Sequence, residues 1–165
     1  MIFVTVGHEL GFDRLIEAVD KYAKTHPEIT FFAQVGSLNE TSYIPQHIGH
    51  SEFVTPAKFE SLFENADLIV AHAGMGSIIT ALTRQRPLLI MPRRGHLMET
   101  RNDHQVATAA RFRSREGVFV ADDETVFSDV LDEVLDIIGN TKLKKTSEFA
   151  DTSLISAIRN FIHND

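Results

Sequence analysis

The sequence contains no cysteine among its 165 residues. Without cysteine the protein has no disulfide, no thiolate nucleophile and no zinc site built on thiolates, an absence that suits the cytoplasm. Long apolar runs are also missing, since no stretch approaches the ~18 residues of a spanning helix. The N-terminus, MIFVTVGHELGFDRL, lacks the basic start and long apolar core of a signal peptide and is predicted to belong to the fold. Any membrane contact is therefore expected to be peripheral or to come through a partner.

Positive charge is scarce, with 16 lysines and arginines against 23 aspartates and glutamates and a formal net charge of -7. General nucleic-acid binding needs a basic face that replaces phosphate counterions, so no nucleic-acid partner is expected. Residues 84–101 depart from this balance, because they hold five arginines and one acid, Glu99. Arginine forks match phosphate and carboxylate geometry. The first two arginines are interpreted as solvated residues at a helix end, whereas Arg93 and Arg94 directly follow a predicted strand and are candidate ligand contacts.

Apolar segments alternate with amphipathic ones along the chain. The predicted strands are IFVTV, ITFFAQVG, a short one near SEFV, DLIVAH, LLIM and VFVA. Helical spacing separates most of them, and this alternation is typical of a parallel sheet. The length favours one domain over residues 1–165, with a core at 2–138 and a C-terminal linker and helix at 139–165. The predicted fold is a Rossmann-like α/β domain of about six strands with helices on both faces.

Four loops are candidates for a binding site, because ligands of doubly wound sheets bind beyond the carboxyl ends of the strands. These loops are GHELGFD, VGSLNE, HAGMGS and PRRGHLMETRNDHQ. In HAGMGS the glycines allow close approach of backbone amides to a ligand, and the following helix presents unpaired N–H groups with a partial positive charge. Ser77 adds a hydroxyl, so the loop suits a phosphate or diphosphate. The alternative is a tight turn in which Ser77 only caps the helix.

Other ligand classes are less well supported. The glycine loop lacks the Lys-Ser/Thr ending of a nucleoside-triphosphate loop, and Ile79 stands where the third glycine of a dinucleotide fingerprint belongs. His8, His72 and His96 do not have the spacing of a helical metal pair, and no carboxylate cluster accompanies them. The sequence therefore predicts no metal site.

Five segments together resemble a known family. VTVGHELGFDRLIEAV, FFAQVG, ADLIVAHAGMGSIITAL, PLLIMPRR and NDHQVATA resemble the C-terminal, donor-binding half of the GT-B glycosyltransferases of family 28. The likeness covers residues 2 to about 121. It is greatest to small stand-alone members, namely the catalytic subunit of the dolichol-linked N-acetylglucosaminyltransferase and bacterial exopolysaccharide glucuronosyl- or galactosyltransferase subunits. The ordered pair HAGMGS and NDHQ is more specific than either piece.

The resemblance implies a role for each loop. In the family the glycine-rich loop and helix start hold the diphosphate of the nucleotide sugar, and the Asp-x-Gln element contacts the sugar and ribose. The donor-binding residues so predicted are Gly7, His8, Gly36, His72, Gly74, Met75, Gly76, Ser77, Thr80, Arg93, Arg94, Asp103 and Gln105. The catalytic base is unassigned, with His8 and His72 as candidates, although His72 is expected to shape its loop rather than to transfer a proton.

Thr80 marks a departure from the family pattern. Larger relatives carry a glutamate at this position that binds the ribose hydroxyls. A threonine offers one hydroxyl where a carboxylate accepts two hydrogen bonds. Ribose binding is then reassigned to Gln105 or to a neighbouring loop, and Thr80 is the weakest of the predicted contacts.

A GT-B enzyme closes two Rossmann-like lobes over its substrates, and this chain is expected to supply one. The resemblance implies a glycosyltransferase subunit of exopolysaccharide biosynthesis that needs no cofactor and takes a hexose or hexuronic acid from a UDP-sugar. The acceptor is expected to be a lipid-linked sugar held by a membrane-associated partner subunit. That partner would place the chain in the cytoplasm, peripherally at the inner face of the membrane. Whether the isolated chain forms a homo-oligomer is an open alternative.

Two other functions stay open. The chain is alternatively a non-catalytic subunit that stabilises a partner transferase, a reading favoured by the missing ribose glutamate and the unassigned base. A sugar-nucleotide epimerase is ranked last, because such enzymes carry both lobes in one chain together with several acidic catalytic residues.

Overall fold

Six strands and five α-helices are described in a computed structural model that covers residues 1–8 and 10–140. The strands are β1 (Ile2–Thr5), β2 (Phe31–Gln34), β3 (Gly49–Ser51), β4 (Leu68–His72), β5 (Leu88–Met91) and β6 (Val118–Val120). The α-helices are α1 (Asp13–Thr25), α2 (Pro56–Asn65), α3 (Met75–Thr83), α4 (His104–Phe112) and α5 (Phe127–Asn140). The strands lie in the order β3-β2-β1-β4-β5-β6, and every neighbouring pair is parallel. The predicted Rossmann-like fold is confirmed.

All strands except the edge strand β3 are largely buried, because two hydrophobic layers enclose the sheet. On β1, Ile2 and Val4 pack into one layer and Phe3 into the other. The first layer contains side chains of α1 and α5, such as Leu15 and Leu131. The second contains side chains of α2, α3 and α4. Helices therefore cover both faces, as burial of a parallel sheet requires.

The direction in which the chain adds strands reverses between β1 and β4. β1 pairs with β2 on one side and with β4 on the other, and β4 pairs in turn with β5. The connection after β1 and the connection after β4 therefore run to opposite sides of the sheet. Such a reversal opens a crevice at the carboxyl ends of the strands, where ligands of doubly wound sheets bind. In this protein the crevice lies beside Thr5 and His72, the last residues of β1 and β4.

Some element boundaries differ from the predicted ones. The third strand lies at Gly49–Ser51, earlier than SEFV, because those residues pair with Phe32–Gln34. Helix α3 begins at Met75 with Gly74 as its N-cap, so the alternative in which Ser77 caps the helix is wrong. The linker and helix predicted at the C-terminus lie largely outside the described residues, which end at 140.

One carboxylate is buried in the first layer. Asp20 of α1 is 1% exposed and accepts hydrogen bonds from the Tyr43 hydroxyl at 2.8 Å and from the backbone N–H groups of Gln46 and His47. Burial by itself raises the pKa of Asp20, but these donors outweigh it and hold the pKa below its ordinary value of 3.8. The carboxylate thus fixes the segment that leads into β3.

Replacing Asp20 by asparagine is expected to lower the free energy of unfolding by about 2–3 kcal/mol at pH 7, because an amide cannot accept all of these hydrogen bonds. The pKa of Asp20 is lower in the folded state, so its stabilisation is complete above about pH 4 and is lost as the pH falls through the folded value. Urea denaturation at pH 7 and at pH 3 measures both effects. The exposed Asp13→Asn on the same helix is the control, with an expected loss under about 1 kcal/mol.

Candidate functional site

A cavity of about 290 Å³ opens in the crevice between the ends of β1 and β4. It is lined by Thr5, Gly7, His8, Gln34, Phe59, His72, Gly76, Ser77 and Thr80. Six of these nine belong to the predicted donor-binding set. Among the described residues that line it, none carries a carboxylate or a permanent positive charge, so backbone groups, hydroxyls, an amide and imidazoles provide its polar surface.

The start of α3 forms one wall of this cavity. The first backbone hydrogen bond of the helix runs from the Ile78 N–H to the Gly74 carbonyl. The N–H groups of Met75, Gly76 and Ser77 lie ahead of that bond, where a helix leaves its donors unpaired and carries a partial positive charge. A methyl group added to Gly76 would meet no protein atom within 4 Å. Packing of the described chain therefore does not require glycine at position 76.

The imidazole of His72 fills the space between two glycines. A methyl group on Gly7 would lie 2.8 Å from Cε1 of His72, and one on Gly74 would overlap Nε2. Gly7 also has a φ of +85°, a left-handed conformation that favours glycine. The glycines at 7 and 74 are thus required by the histidine, whose ring packs between the loops that follow β1 and β4.

His72 is a neutral imidazole at pH 7. Its pKa is lowered from 6.5 to about 4, first by burial and then by the positive charge of Arg93, while the Thr5 backbone opposes part of the shift. No described residue gives its buried Nδ1 a hydrogen bond of normal geometry. A side chain with this pKa is a weak base at pH 7, in agreement with the interpretation of His72 as a residue that shapes the loop.

Stability is expected to fall as His72 is protonated. The unfolded state binds the proton near pH 6.5 and the folded state only near pH 4, so the free energy of unfolding declines as the pH drops through this interval. Between these two pH values the free energy of unfolding is expected to fall by on the order of 3 kcal/mol in total. Urea denaturation from pH 7.5 to pH 4 should show this slope in the wild type and in His50→Gln, an exposed control. An equal slope in His72→Gln would contradict the assignment.

Gln34 is a cleft residue that the sequence analysis overlooked. It is 1% exposed, donates through Nε2 to the Gly7 carbonyl at 3.3 Å and accepts from the Val54 N–H at 3.3 Å. It therefore ties the loop after β1 to the segment after β3. The available signal was a single amide within the apolar strand FFAQV, since a buried polar side chain needs partners. Thr5 and Phe59 of the lining were overlooked too, and one threonine or phenylalanine in an apolar segment gave no distinguishing signal.

Three predicted residues lie beside the cavity rather than in its lining. Gly74 and Met75 form the turn into α3, and the Met75 side chain is 39% exposed. Gly36 is buried at a φ of +77°, and a methyl group there would press on Val6 and Leu10 of the loop after β1. Gly36 therefore permits close packing of two loops.

The arginines of residues 84–101 do not form one basic patch. Arg84 pairs with Glu60 and Glu64 of α2, and Arg86 donates to the Ala66 carbonyl. Arg94 is part of a different region, where it donates to the Asp122 carbonyl and pairs with Asp123 at 3.3 Å. The local excess of positive charge is thus spread over separate partners.

A second cavity, of about 310 Å³, lies between the loops after β5 and β6. Arg94 and Asp103 line it, and the Asp103 carboxylate accepts the Gly95 N–H at 2.7 Å. Gln105 is buried at the start of α4 and accepts the Arg93 N–H at 3.1 Å. The structure does not bring Arg94, Asp103 and Gln105 to the lining of the first cavity, and their contact with a donor stays a prediction.

Thr80 does line the first cavity, one turn into α3. Its hydroxyl donates to the Gly76 carbonyl at 2.8 Å. His8 is exposed on the opposite wall, with its ring centroid 5.6 Å from that of Phe53. The cavity thus has an aromatic rim on the side of the first loop and a hydroxyl on the side of the helix.

The chain belongs to the family described as glycosyltransferase family 28 C-terminal domain, whose sequence model matches residues 1–162. A relative from Prochlorococcus marinus (strain MIT 9312) is 25% identical over 118 residues, 69% of this chain and 31% of the relative. One from Opitutus terrae is 34% identical over 82 residues, 50% of this chain and 20% of the relative. Both are named UDP-N-acetylglucosamine--N-acetylmuramyl-(pentapeptide) pyrophosphoryl-undecaprenol N-acetylglucosamine transferase. The chain thus spans a third or less of the curated relatives.

Solved structures share the fold. The glycosyltransferase of kitacinnamycin has a TM-score of 0.62 at 22% identity, covering 96% of this chain and 38% of that one. MurG of Acinetobacter baumannii has a TM-score of 0.59 at 20% identity, covering 84% of this chain and 41% of that one. A putative UDP-N-acetylglucosamine 2-epimerase from Listeria monocytogenes reaches 0.52 at 13% identity, covering 99% of this chain and 46% of that one. In each case this chain covers less than half of the other chain.

Within residues 1–8 and 10–140, no helix is long and apolar enough to cross a membrane. The same residues contain no cluster of three or more histidines and carboxylates that could hold a metal ion. Metal-independent chemistry stays a prediction.

Proposed function

We propose that this chain is the donor-binding lobe of a UDP-sugar-dependent glycosyltransferase. The main support for this proposal is the start of α3. Its N–H groups that precede the first helical hydrogen bond, and its unobstructed Gly76, lie at the crevice where the strand order reverses. A diphosphate fits this place, because it accepts several N–H hydrogen bonds and is attracted by the positive end of the helix. Membership of family 28 supports the activity, since the matched relatives are named as transferases that use UDP-N-acetylglucosamine.

The proposed reaction displaces UDP from the sugar. An acceptor hydroxyl oxygen attacks the anomeric carbon, the bond from that carbon to the diphosphate oxygen breaks, and the electron pair leaves with UDP. Negative charge grows on the diphosphate, where the N–H groups of Met75, Gly76 and Ser77 would stabilise it without a metal. The hydroxyl proton needs a base. His72 is a weak one at pH 7, which leaves exposed His8 or a group on the acceptor lobe.

The rest of the proposal concerns what lies outside this lobe. The sugar is a hexose or hexuronic acid, and the acceptor is a lipid-linked sugar presented by a membrane-associated partner subunit, in exopolysaccharide synthesis. Such a partner would hold the chain at the inner face of the membrane. In support, the chain spans a third or less of curated relatives that act on an undecaprenol-linked sugar.

Gly76→Ala tests the donor site without disturbing the fold. The added methyl meets no protein atom, so we expect the variant to be as stable as the wild type or more stable by about 0.5–1 kcal/mol. UDP binding, measured by calorimetry, should weaken at least about tenfold, because the methyl occupies the space where the diphosphate approaches the backbone.

Gly139→Ala is the matched control. It also lies in a helix and its added methyl also meets no atom of the described residues, but it is in α5, away from the crevice. It should bind UDP like the wild type. Wild-type affinity in Gly76→Ala would contradict the proposed site, as would the absence of UDP binding by the wild-type chain both alone and with its partner.

A second function is favoured by one observation, the lack of any carboxylate among the described residues that line the cavity. A non-catalytic subunit that stabilises a partner transferase needs no acid or base. To separate the two functions, sugar transfer from a radiolabelled UDP-sugar is measured in cells that co-express the chain with its partner. Ser77→Ala should lower transfer several-fold if this lobe binds the donor, whereas Thr83→Ala, exposed at the far end of the same helix, should not. Unchanged transfer in both variants would favour the stabilising subunit.

A further inference from the structure

Arg93 is an arginine in the interior of the protein. It follows β5 by two residues and is 4% exposed. Its guanidinium crosses to the loop after β1, where Nη2 donates to the carbonyls of Val6 at 2.9 Å and Leu10 at 2.7 Å, and Nη1 donates to the carbonyl of Gly11 at 2.6 Å. Three carbonyls of one six-residue loop thus converge on a single side chain.

Further contacts fix the arginine itself. Its guanidinium carbon lies 4.7 Å from the ring centroid of Phe12, and Nη1 also reaches the Glu99 carbonyl at 3.3 Å. Its backbone N–H donates to Gln105 of α4. A planar guanidinium presents donors in a rigid fork, so its orientation determines where all of these carbonyls lie. The side chain therefore fixes the positions of these loop carbonyls.

The loop that Arg93 holds carries part of the cavity wall. Gly7 and His8 line the cavity. In the sequence they stand between Val6 and Leu10, whose carbonyls the guanidinium binds. Gly7 in turn packs on the ring of His72, close to the start of α3. Arg93 itself is absent from the lining residues. Its effect on a ligand must then pass through the loop.

We infer that Arg93 is a positioning residue of the donor cleft, which fixes the carbonyls of Val6, Leu10 and Gly11 and thereby places Gly7 and His8 against a bound nucleotide sugar. This inference rests on the proposed function only for the identity of the ligand. It differs from a direct contact between Arg93 and the diphosphate, since the described donors of the guanidinium are already directed at protein carbonyls.

The test compares Arg93→Ala and Arg93→Lys with Arg84→Ala, a control that changes an arginine paired with Glu60 and Glu64 of α2, away from this loop. Amide resonances of ligand-free protein report the loop, and calorimetry with UDP reports the cleft. Both Arg93 variants should shift the resonances of Gly7 and His8 and weaken UDP binding about tenfold or more, as is typical when a supporting residue of a site is lost. Arg84→Ala should leave both measurements close to those of the wild type.

Chemical rescue separates positioning from general loss of stability. Millimolar guanidinium chloride should restore the Gly7 and His8 resonances and most of the UDP affinity of Arg93→Ala, whereas equal sodium chloride should not. Should Arg93→Ala fail to fold, Arg93→Lys carries the test, because lysine retains a charge but not the fork.

Unmoved Gly7 and His8 resonances, or wild-type UDP affinity in the variants, would overturn the inference. Rescue of stability without rescue of the resonances would also overturn it. If the wild type does not bind UDP, the proposal that this chain binds a UDP-sugar is contradicted. The ligand-free resonances still decide whether Arg93 positions the loop.

Discussion

The close packing of the ring of His72 between Gly7 and Gly74, in the loops after β1 and β4, is the constraint on which the rest of the site depends. Because the ring occupies the space between Gly7 and Gly74, both positions exclude a side chain, and the first loop can approach the start of α3. The reversal of strand order opens a crevice at this place in any doubly wound sheet. Here one imidazole closes the floor of that crevice, and burial keeps it neutral at pH 7.

Long-range polar contacts then hold the loops around that floor. Arg93 binds carbonyls of the first loop, and Gln34 connects the same loop to the segment after β3. Arg14 of α1 makes a bidentate pair with Glu99, both of its bonds being 2.8 Å, and ties α1 to the loop after β5. Loops have few apolar contacts of their own, so buried hydrogen bonds of this kind determine their conformation.

The fold was predictable because it depends on patterns that are local in sequence. Apolar strands such as LLIM and the amphipathic helix after GHELGFD predict a parallel sheet, and the order of loops and glycines locates the crevice. The partners of single polar residues were not predictable. Arg93 lies 82 residues from Gly11, and no local pattern indicates that its guanidinium binds a carbonyl there rather than a ligand. The role of Gln34 was not predictable for the same reason, since its hydrogen-bond partners belong to two other segments of the chain.

The chemistry of the lining limits what this lobe does under the proposed function. N–H groups at the start of α3 are suited to a leaving diphosphate, because they stabilise negative charge without changing protonation. Deprotonating an acceptor hydroxyl is a different task, and it needs a base whose pKa lies near the working pH. A carboxylate is absent from the described lining, and the pKa of His72 lies near 4. Under the proposed function, this lobe would stabilise the leaving group, and proton transfer would fall to His8 or to the acceptor lobe.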